Sequence, residues 1–218
     1  MKKIIELSHV IKNGKETYPG LPAPHICDFW TRKQSAQKYS DGETFHIGQI
    51  TMVANTGTYI DAPFHRYQEG ADISQLKPEN FADLRGHCIA IPKGVQSIGK
   101  EYLTDIPNDT EAVLFYTGWD KHWSTPEYKD QHPYLSVAAA ESLQHLSIKL
   151  VGIDSINIDN IHNDTRPIHS LLLAEGILIV EHLTGLSSLN NQSFVFHAAP
   201  APVEGMGTFP VRAYAILD

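Results

Sequence analysis

The run Asn55-Thr-Gly-Thr-Tyr-Ile-Asp-Ala-Pro-Phe-His65 is the most informative stretch of this 218-residue chain. Gly57 and Pro63 favour turns, which could direct Asp61 and His65 into a common cavity. An aspartate can bind a metal ion or accept hydrogen bonds, and a nearby histidine can transfer protons at neutral pH. Taken alone, an Asp and a His four residues apart more often form a local hydrogen-bonded pair than a functional site.

The composition predicts one globular domain over residues 1–218, because 42% of the residues are hydrophobic and only 19% are charged. A net charge of −8 and the lack of a Lys/Arg-rich run argue against a nucleic-acid surface and favour a small-molecule substrate. Glu6 and His9 interrupt the first apolar stretch, and no later one approaches the roughly 18 residues that span a bilayer. We therefore expect a cytoplasmic protein without membrane contact. Cys27 and Cys88 form no Cys-x-x-Cys pair and are interpreted as reduced thiols.

The hydrophobic pattern predicts a mixed α/β domain with a sheet-rich core and few helices. Continuous apolar runs at residues 88–92, 112–116 and 150–154 are typical of strands buried on both faces. Further strands are predicted at residues 4–11, 44–55, 177–180 and 211–217. Helices are predicted at residues 136–146, with Ser136 as N-cap, and at residues 167–175, between Pro167 and Gly176. The run at residues 55–65 then lies at the end of a strand and on the loop that follows.

Two more polar positions stand out because they are close to very apolar segments. His169 lies inside the second predicted helix, and Glu181 ends the strand that follows it. A buried carboxylate needs a partner, and a helix–turn–strand unit can bring these two side chains face to face. The alternative is a surface pair of Glu181 with His182 or a lysine. Asp154 also ends a buried strand, and we interpret it as a loop-capping or supporting residue.

The run at residues 55–65 resembles the His-x-Gly-Thr-His-x-Asp-x-Pro-x-His signature of the cyclase-like metal-dependent hydrolases. This family includes bacterial kynurenine formamidase and isatin hydrolase. Tyr18-Pro-Gly is similar to the family's Trp-Pro-Gly pocket segment. Later segments of the family are matched in order by residues 114–123, 151–159, 167–169, 179–181, 199–200 and 210–213. The resemblance therefore extends over nearly the whole chain.

The resemblance implies a swivelling β/α/β fold, assembled as homodimers or homotetramers, with divalent zinc or manganese activating a water molecule. It assigns metal binding to Asp61, His169 and Glu181, and proton transfer to His65. Two further ligand histidines of the family are replaced by Asn55 and Tyr59. A neutral amide is a poor zinc ligand, and a phenol, with a pKa of about 10, must lose its proton before it binds well. We therefore expect a single metal ion with an open position for water.

Three functional hypotheses remain open. The leading one is a single-metal hydrolase of a small amide, ester or lactone, in which His65 passes a proton to the leaving group. In this hypothesis Asn55 and Tyr59 donate hydrogen bonds to the developing oxyanion, and Tyr18 and Trp30 line the substrate pocket. The second is metal-free acid–base catalysis in the same cavity, as a lyase, isomerase or lactonase. The third is a non-catalytic protein that binds a small metabolite or a partner protein.

Three further histidines are candidates to compensate for the replaced ligands, namely His46, His162 and His197. A lone histidine on a strand or loop is more often a hydrogen-bonded structural residue. We therefore leave these three outside the expected ligand set.

Overall fold

The computed structural model describes residues 2–217, which form twelve strands and three α-helices. Strands β1 to β12 cover, in chain order, Lys3–Glu6, His25–Trp30, Ile47–Thr51, Tyr59–Asp61, Leu84–Ala90, Ser97–Ile98, Ala112–Tyr116, Tyr134–Leu135, Leu150–Ile153, Leu178–Glu181, Phe194–Pro200 and Thr208–Leu217. Helices α1 to α3 cover Arg32–Ser35, Val137–Gln144 and Pro167–Ala174. Strands far outnumber helices, so the predicted sheet-rich α/β fold is confirmed.

Eight strands form the central sheet in the order β1-β12-β11-β5-β7-β9-β10-β4, and β4 pairs with β12 as well. The additional pairing closes seven of the strands into a barrel, with β1 lying beside the last residues of β12. Strands β5, β7, β9 and β10 run parallel to one another. The remaining pairings of the barrel are antiparallel. Closure removes the free edge that β4 would otherwise expose.

Alternate side chains of the parallel strands belong to two different hydrophobic cores. One core fills the barrel and includes Leu114, Leu150 and Val180. The other lies between the sheet and helices α2 and α3, and its strand residues include Val113, Val151 and Ile179. Because Glu181 follows Ile179 by two positions on β10, it shares the face of the sheet that is covered by α3.

The two longer helices begin and end close to the positions that the sequence predicted. Ser136 Oγ accepts the backbone N–H of Ala139 at 3.1 Å and so caps α2. Pro167 occupies the first turn of α3, and Gly176 follows its end with a φ of 71°. That left-handed conformation favours glycine and ends the helix.

Two strands near the run at residues 55–65, called the motif below, differ from the sequence-based expectation. The strand predicted at residues 44–55 is shorter, as β3, and it pairs only with β2 in a separate two-stranded sheet. The motif also is not confined to a loop, because its central residues form β4 and are fully buried. Three residues are too few for an alternating pattern to reveal a strand. Strands β2 and β11 were likewise not predicted.

None of the helices within residues 2–217 has the length and apolar character needed to cross a membrane. Cys27 and Cys88 are free thiols, as expected. The cytoplasmic location and the single-domain boundary stay predictions.

Candidate functional site

Strand register brings polar side chains together on the face of the sheet that lies under α3. In the pairing of β4 with β10, Tyr59 lies opposite Glu181. On the other edge of β4, Asp61 lies opposite Thr208 of β12. Ile60, between Tyr59 and Asp61, packs into the barrel core. Because successive strand residues point to opposite faces, Tyr59 and Asp61 both point away from that core.

His169 on α3 completes this cluster. Its Nε2 atom lies 3.6 Å from Asp61 Oδ2 and 3.5 Å from Glu181 Oε1. Its Nδ1 atom lies 2.7 Å from Asp159 Oδ2, and the Asp159 carboxylate also accepts the backbone N–H groups of Ile168 and His169. Asp159 therefore fixes the orientation of the imidazole and leaves Nε2 directed at two carboxylates.

His65 ends the 3₁₀ turn Pro63–His65 and lies beside Asp61. Thr208 Oγ1 donates a short hydrogen bond to Asp61 Oδ1 and lies 2.9 Å from His65 Nδ1. Because the hydroxyl proton is used on Asp61, the proton between Thr208 and His65 belongs to Nδ1 of the histidine. In the neutral ring, Nε2 of His65 is then the nitrogen without a proton. The side chain is 34% exposed, so this nitrogen can act as a base on a bound molecule.

A chain of buried hydrogen bonds leads from Tyr128 to Glu181. The Tyr59 hydroxyl donates to Glu181 Oε2 at 2.7 Å, and His182 Nε2 lies 3.2 Å from the same hydroxyl. His182 Nδ1 lies 3.0 Å from the Tyr128 hydroxyl. Burial lowers the pKa of His182 well below its usual value, so its ring is neutral. One arrangement satisfies every contact: Tyr128 donates to His182, His182 donates to Tyr59, and Tyr59 donates to Glu181.

The Tyr59 hydroxyl, which the sequence suggested as an oxyanion donor, is thus directed at Glu181. Burial raises the pKa of Tyr59 well above its usual value, and the charges of Glu181 and Asp61 add to this rise. The phenol therefore keeps its proton and acts as a hydrogen-bond donor. Glu181 is only 1% exposed, so its suggested surface pairing with His182 or a lysine is wrong.

The two central ionisable groups have strongly shifted pKa values. Burial raises the pKa of Glu181 to about 7, and the charge of His169 opposes that rise. Burial lowers the pKa of His169, but the hydrogen bond with Asp159 and the nearby carboxylates of Asp61 and Glu181 outweigh it and raise the pKa to about 10. Without a metal ion the cluster therefore holds an imidazolium between two carboxylates. A metal ion bound to Nε2 would replace that proton.

The donors present fit a divalent metal ion. Ligand atoms of Asp61, His65 and His169 lie within 4.8 Å of one another. Asp61 Oδ2 is buried and has no hydrogen-bond partner among residues 2–217. Carboxylate oxygens and imidazole nitrogens suit zinc or manganese. The ligand set implied by the resemblance is Asp61, His169 and Glu181. It shares Asp61 and His169 with the set found by distance and has Glu181 in place of His65.

A cavity of about 260 Å³ opens onto the cluster and is large enough for a small molecule. Seven of the residues singled out in the sequence line it: Tyr18, Asn55, Tyr59, Asp61, His65, His169 and Glu181. The lining is completed by Leu21, Arg66, Asn157 and Arg166. The cavity therefore gathers nearly all the residues that the sequence proposed for the site.

Trp30 is not brought to this cavity. It lies on β2, where its ring stacks on Phe45 with the ring centroids 5.5 Å apart. The three additional candidate histidines, His46, His162 and His197, also lie outside the lining. His46 forms a 2.8 Å contact with the carboxylate of Asp28 instead.

Sequence reasoning missed four residues that matter for this site. Asp159 had a usable signal, since it lies in an Asp- and Asn-rich loop after a buried strand. Thr208 had none, because its role depends on the register of β12 against β4. Arg66 and Arg166 flank His65 and Pro167 in sequence, but nothing in their local pattern distinguishes them from surface arginines.

Comparison with known proteins gives a consistent picture. Residues 5–160 match the family model described as "Putative cyclase". The chain is 27% identical over 210 residues to a kynurenine formamidase from Bacillus cereus, and the alignment covers 96% of this chain and 95% of that protein. Isatin hydrolase A from Labrenzia aggregata has a similar structure, with a TM-score of 0.83, 19% identity and coverage of 99% and 93%. A potential metal-dependent hydrolase with cyclase activity aligns with a TM-score of 0.79, 22% identity and coverage of 99% and 98%. The structural matches show that the fold is shared.

We expect Tyr59→Phe to lower the free energy of unfolding by about 1–3 kcal/mol, because it deprives Glu181 and His182 of a buried hydrogen-bond partner. Urea denaturation measures this change. Tyr214→Phe is the matched control, since Tyr214 contacts His197 by ring stacking, and we expect a change within about 0.5 kcal/mol. Equal losses in the two variants would contradict the proposed hydrogen-bond chain.

Proposed function

Because this chain belongs to the cyclase family, we propose that it is a hydrolase of a small amide, ester or lactone that uses one divalent metal ion, zinc or manganese. The observation that carries this proposal is the convergence of Asp61 and Glu181 on the Nε2 atom of His169, together with the unpartnered Asp61 Oδ2. The similarity to kynurenine formamidase puts formamides first among the candidate substrates.

Asp61, His169 and Glu181 would hold the ion, since two carboxylates and one imidazole leave a coordination position open. A bound divalent ion supplies a water of lowered pKa and polarises the substrate carbonyl. Asp159 keeps the His169 ring in place through Nδ1. Tyr59 acts through Glu181, because its hydroxyl holds one carboxylate oxygen while Ile158 N–H holds the other.

His65 is the proposed proton-transfer residue. Its Nε2 atom would take a proton from the attacking water and deliver it to the leaving group. The Thr208 hydroxyl holds the required tautomer by accepting Nδ1–H. Asn55 lines the cavity, and its amide can donate a hydrogen bond to the developing oxyanion. The ring of Tyr18 would contact the substrate from the cavity lining.

One observation favours metal-free acid–base catalysis as a second candidate function. The imidazolium form of His169 offsets part of the negative charge of Asp61 and Glu181 without an ion, since its Nε2 atom lies 3.6 and 3.5 Å from their carboxylates and its pKa rises to about 10. His65 would remain the base, and the reaction would be an isomerisation, a dehydration or a lactone opening. Metal content separates this candidate from the leading proposal.

We expect protein purified without chelator to contain about one zinc or manganese ion per chain, because the ligand set holds a single ion. Elemental mass spectrometry measures this content. His169→Ala and Glu181→Ala should each lose the ion, whereas Glu175→Ala, an exposed carboxylate at the end of α3, should keep it. No ion in the unaltered protein, even after incubation with excess zinc and manganese, would refute the single-metal hydrolase and favour the metal-free candidate.

We expect His65→Ala to lower kcat about 10²–10⁴-fold with unchanged metal content, because it removes a proton-transfer group and no ligand. Steady-state kinetics on the best substrate from a screen of formanilides, esters and lactones measures the loss. His162→Ala is the control, since His162 is exposed and lies outside the cavity. Simultaneous loss of metal and activity would identify His65 as a ligand, and undiminished kcat would refute its catalytic role.

We also propose that the chain forms homodimers or homotetramers. The β2–β3 hairpin supports this, because it pairs with no other strand of the described chain and exposes Phe29, Ile47 and Ile50. An isolated two-stranded hairpin is only marginally stable in water, so an apolar partner surface from a second copy would stabilise it.

We expect light scattering to give the mass of at least two chains, and Phe29→Asp to shift the protein toward the monomer, because a buried charge disfavours an apolar interface. Val10→Asp replaces an exposed apolar residue outside the hairpin and should leave the mass unchanged. A monomeric unaltered protein at high concentration would refute the assembly.

A further inference from the structure

Two arginines without acidic partners line the same cavity as the candidate metal ligands. These are Arg66 and Arg166. Within residues 2–217, neither guanidinium has a carboxylate oxygen within 4.0 Å, whereas Arg85 and Arg212 form ion pairs with glutamates. Each cavity arginine therefore carries a positive charge that no carboxylate of the described residues pairs directly.

Ser170 on α3 holds the side chain of Arg66. Arg66 donates to Ser170 Oγ from Nε at 3.2 Å and from Nη2 at 2.9 Å. Ser170 Oγ in turn donates to the backbone carbonyl of Arg166 at 3.0 Å. A guanidinium has five N–H donors, so Arg66 keeps further donors, including both on Nη1, for a bound molecule.

Backbone carbonyls hold the side chain of Arg166. Its Nη1 atom donates to the carbonyl oxygens of Asn163 and Thr165 at 2.5 and 2.9 Å, and its Nη2 atom donates to that of Ile161 at 3.4 Å. These oxygens orient the guanidinium but carry no net charge. Within residues 2–217, Nε and one N–H of Nη2 keep no backbone acceptor, so these are the donors that Arg166 can offer to a bound molecule. Because the side chain is half-buried, its charge is less well solvated than that of a surface arginine, and an anion in the cavity would compensate it.

Tyr18 adds a third donor to the lining of the cavity. Burial raises the pKa of its hydroxyl, although a hydrogen bond with Arg166 opposes that rise. The hydroxyl therefore stays protonated at neutral pH, and Tyr18 lines the same cavity as Arg166. A phenol beside a guanidinium can donate to the same anionic group.

We propose that Arg66, Arg166 and Tyr18 bind a carboxylate group of the substrate that is separate from the bond to be hydrolysed. Guanidinium groups bind planar carboxylates through paired, charge-assisted hydrogen bonds. This contact holds the substrate at one end and orients its scissile carbonyl toward the candidate metal centre. The inference rests on the proposed hydrolase function and narrows its substrates to amides, esters or lactones that carry a carboxylate.

The matched substrates 3-formamidobenzoate and 3-methylformanilide test this, because they differ in a carboxylate against a methyl group. We expect kcat/KM to be at least about tenfold higher for 3-formamidobenzoate, as charge-assisted hydrogen bonds predict. Arg66→Gln and Arg166→Gln should each remove most of this ratio by raising KM for the carboxylate. Arg212→Gln lies outside the cavity and should keep the ratio. Equal values for both substrates in the unaltered protein would overturn the inference.

Arg66→Gln is the decisive variant, because the Arg66 side chain is exposed while that of Arg166 also holds the 160–165 loop. An unchanged substrate ratio in Arg66→Gln would overturn the inference. Arg166→Lys complements it, since lysine keeps the charge but loses the planar fork, and we expect an intermediate ratio.

Calorimetric titration of the purified protein with benzoate and with benzyl alcohol separates this inference from the proposed hydrolysis. We expect benzoate to bind at least about tenfold more tightly, and Arg66→Gln to abolish that preference. Arginine-dependent benzoate binding in a protein that takes up neither zinc nor manganese would refute the single-metal hydrolase and still support anion recognition. Hydrolysis without any preference for benzoate would overturn this inference alone.

Discussion

The pairing of β4 with β10 on one edge and with β12 on the other is the constraint on which the site depends. The three buried residues of β4, Tyr59–Asp61, close the barrel. The same pairing sets Tyr59 opposite Glu181 and Asp61 opposite Thr208. A shift of one residue in this register would turn Tyr59 and Asp61 into the apolar core and Ile60 out of it. Barrel closure and site geometry are therefore determined by the same hydrogen bonds.

The same geometry buries several ionisable groups together, which is costly unless each is paired. Asp159 accepts two backbone N–H groups and holds the His169 ring. Glu181 accepts hydrogen bonds from the Tyr59 hydroxyl and the N–H of Ile158, and Asp61 accepts one from the Thr208 hydroxyl. Within residues 2–217, Asp61 Oδ2 alone among these carboxylate oxygens lacks a hydrogen bond, and it faces His169 Nε2. A cation bound at this point would give Asp61 Oδ2 the partner that it lacks within residues 2–217.

Tyr59 contributes a hydrogen-bond donor to the site. A phenol with a raised pKa donates a hydrogen bond, so Tyr59 holds Glu181 and is itself held by His182 and Tyr128. Arg66 and Arg166 line the same cavity and carry positive charge that no carboxylate within residues 2–217 pairs, although the whole chain has a net charge of −8. The cavity lining thus combines carboxylates, which suit a metal ion, with arginines, which suit an anionic group.

The sequence by itself determined the elements whose signals are local. Apolar runs located β7 and β9, Ser136 and Pro167 located the helix starts, and the motif with its ordered downstream matches indicated the cyclase family. Most of the cavity lining was also predictable, because the resemblance named its residues one by one. Only the tertiary structure decided that the motif contains a barrel strand, that Thr208 joins Asp61 to His65, and that Trp30 lies away from the cavity. These features depend on the register of strands distant in the chain, and that register follows from packing the whole barrel, which no local pattern encodes.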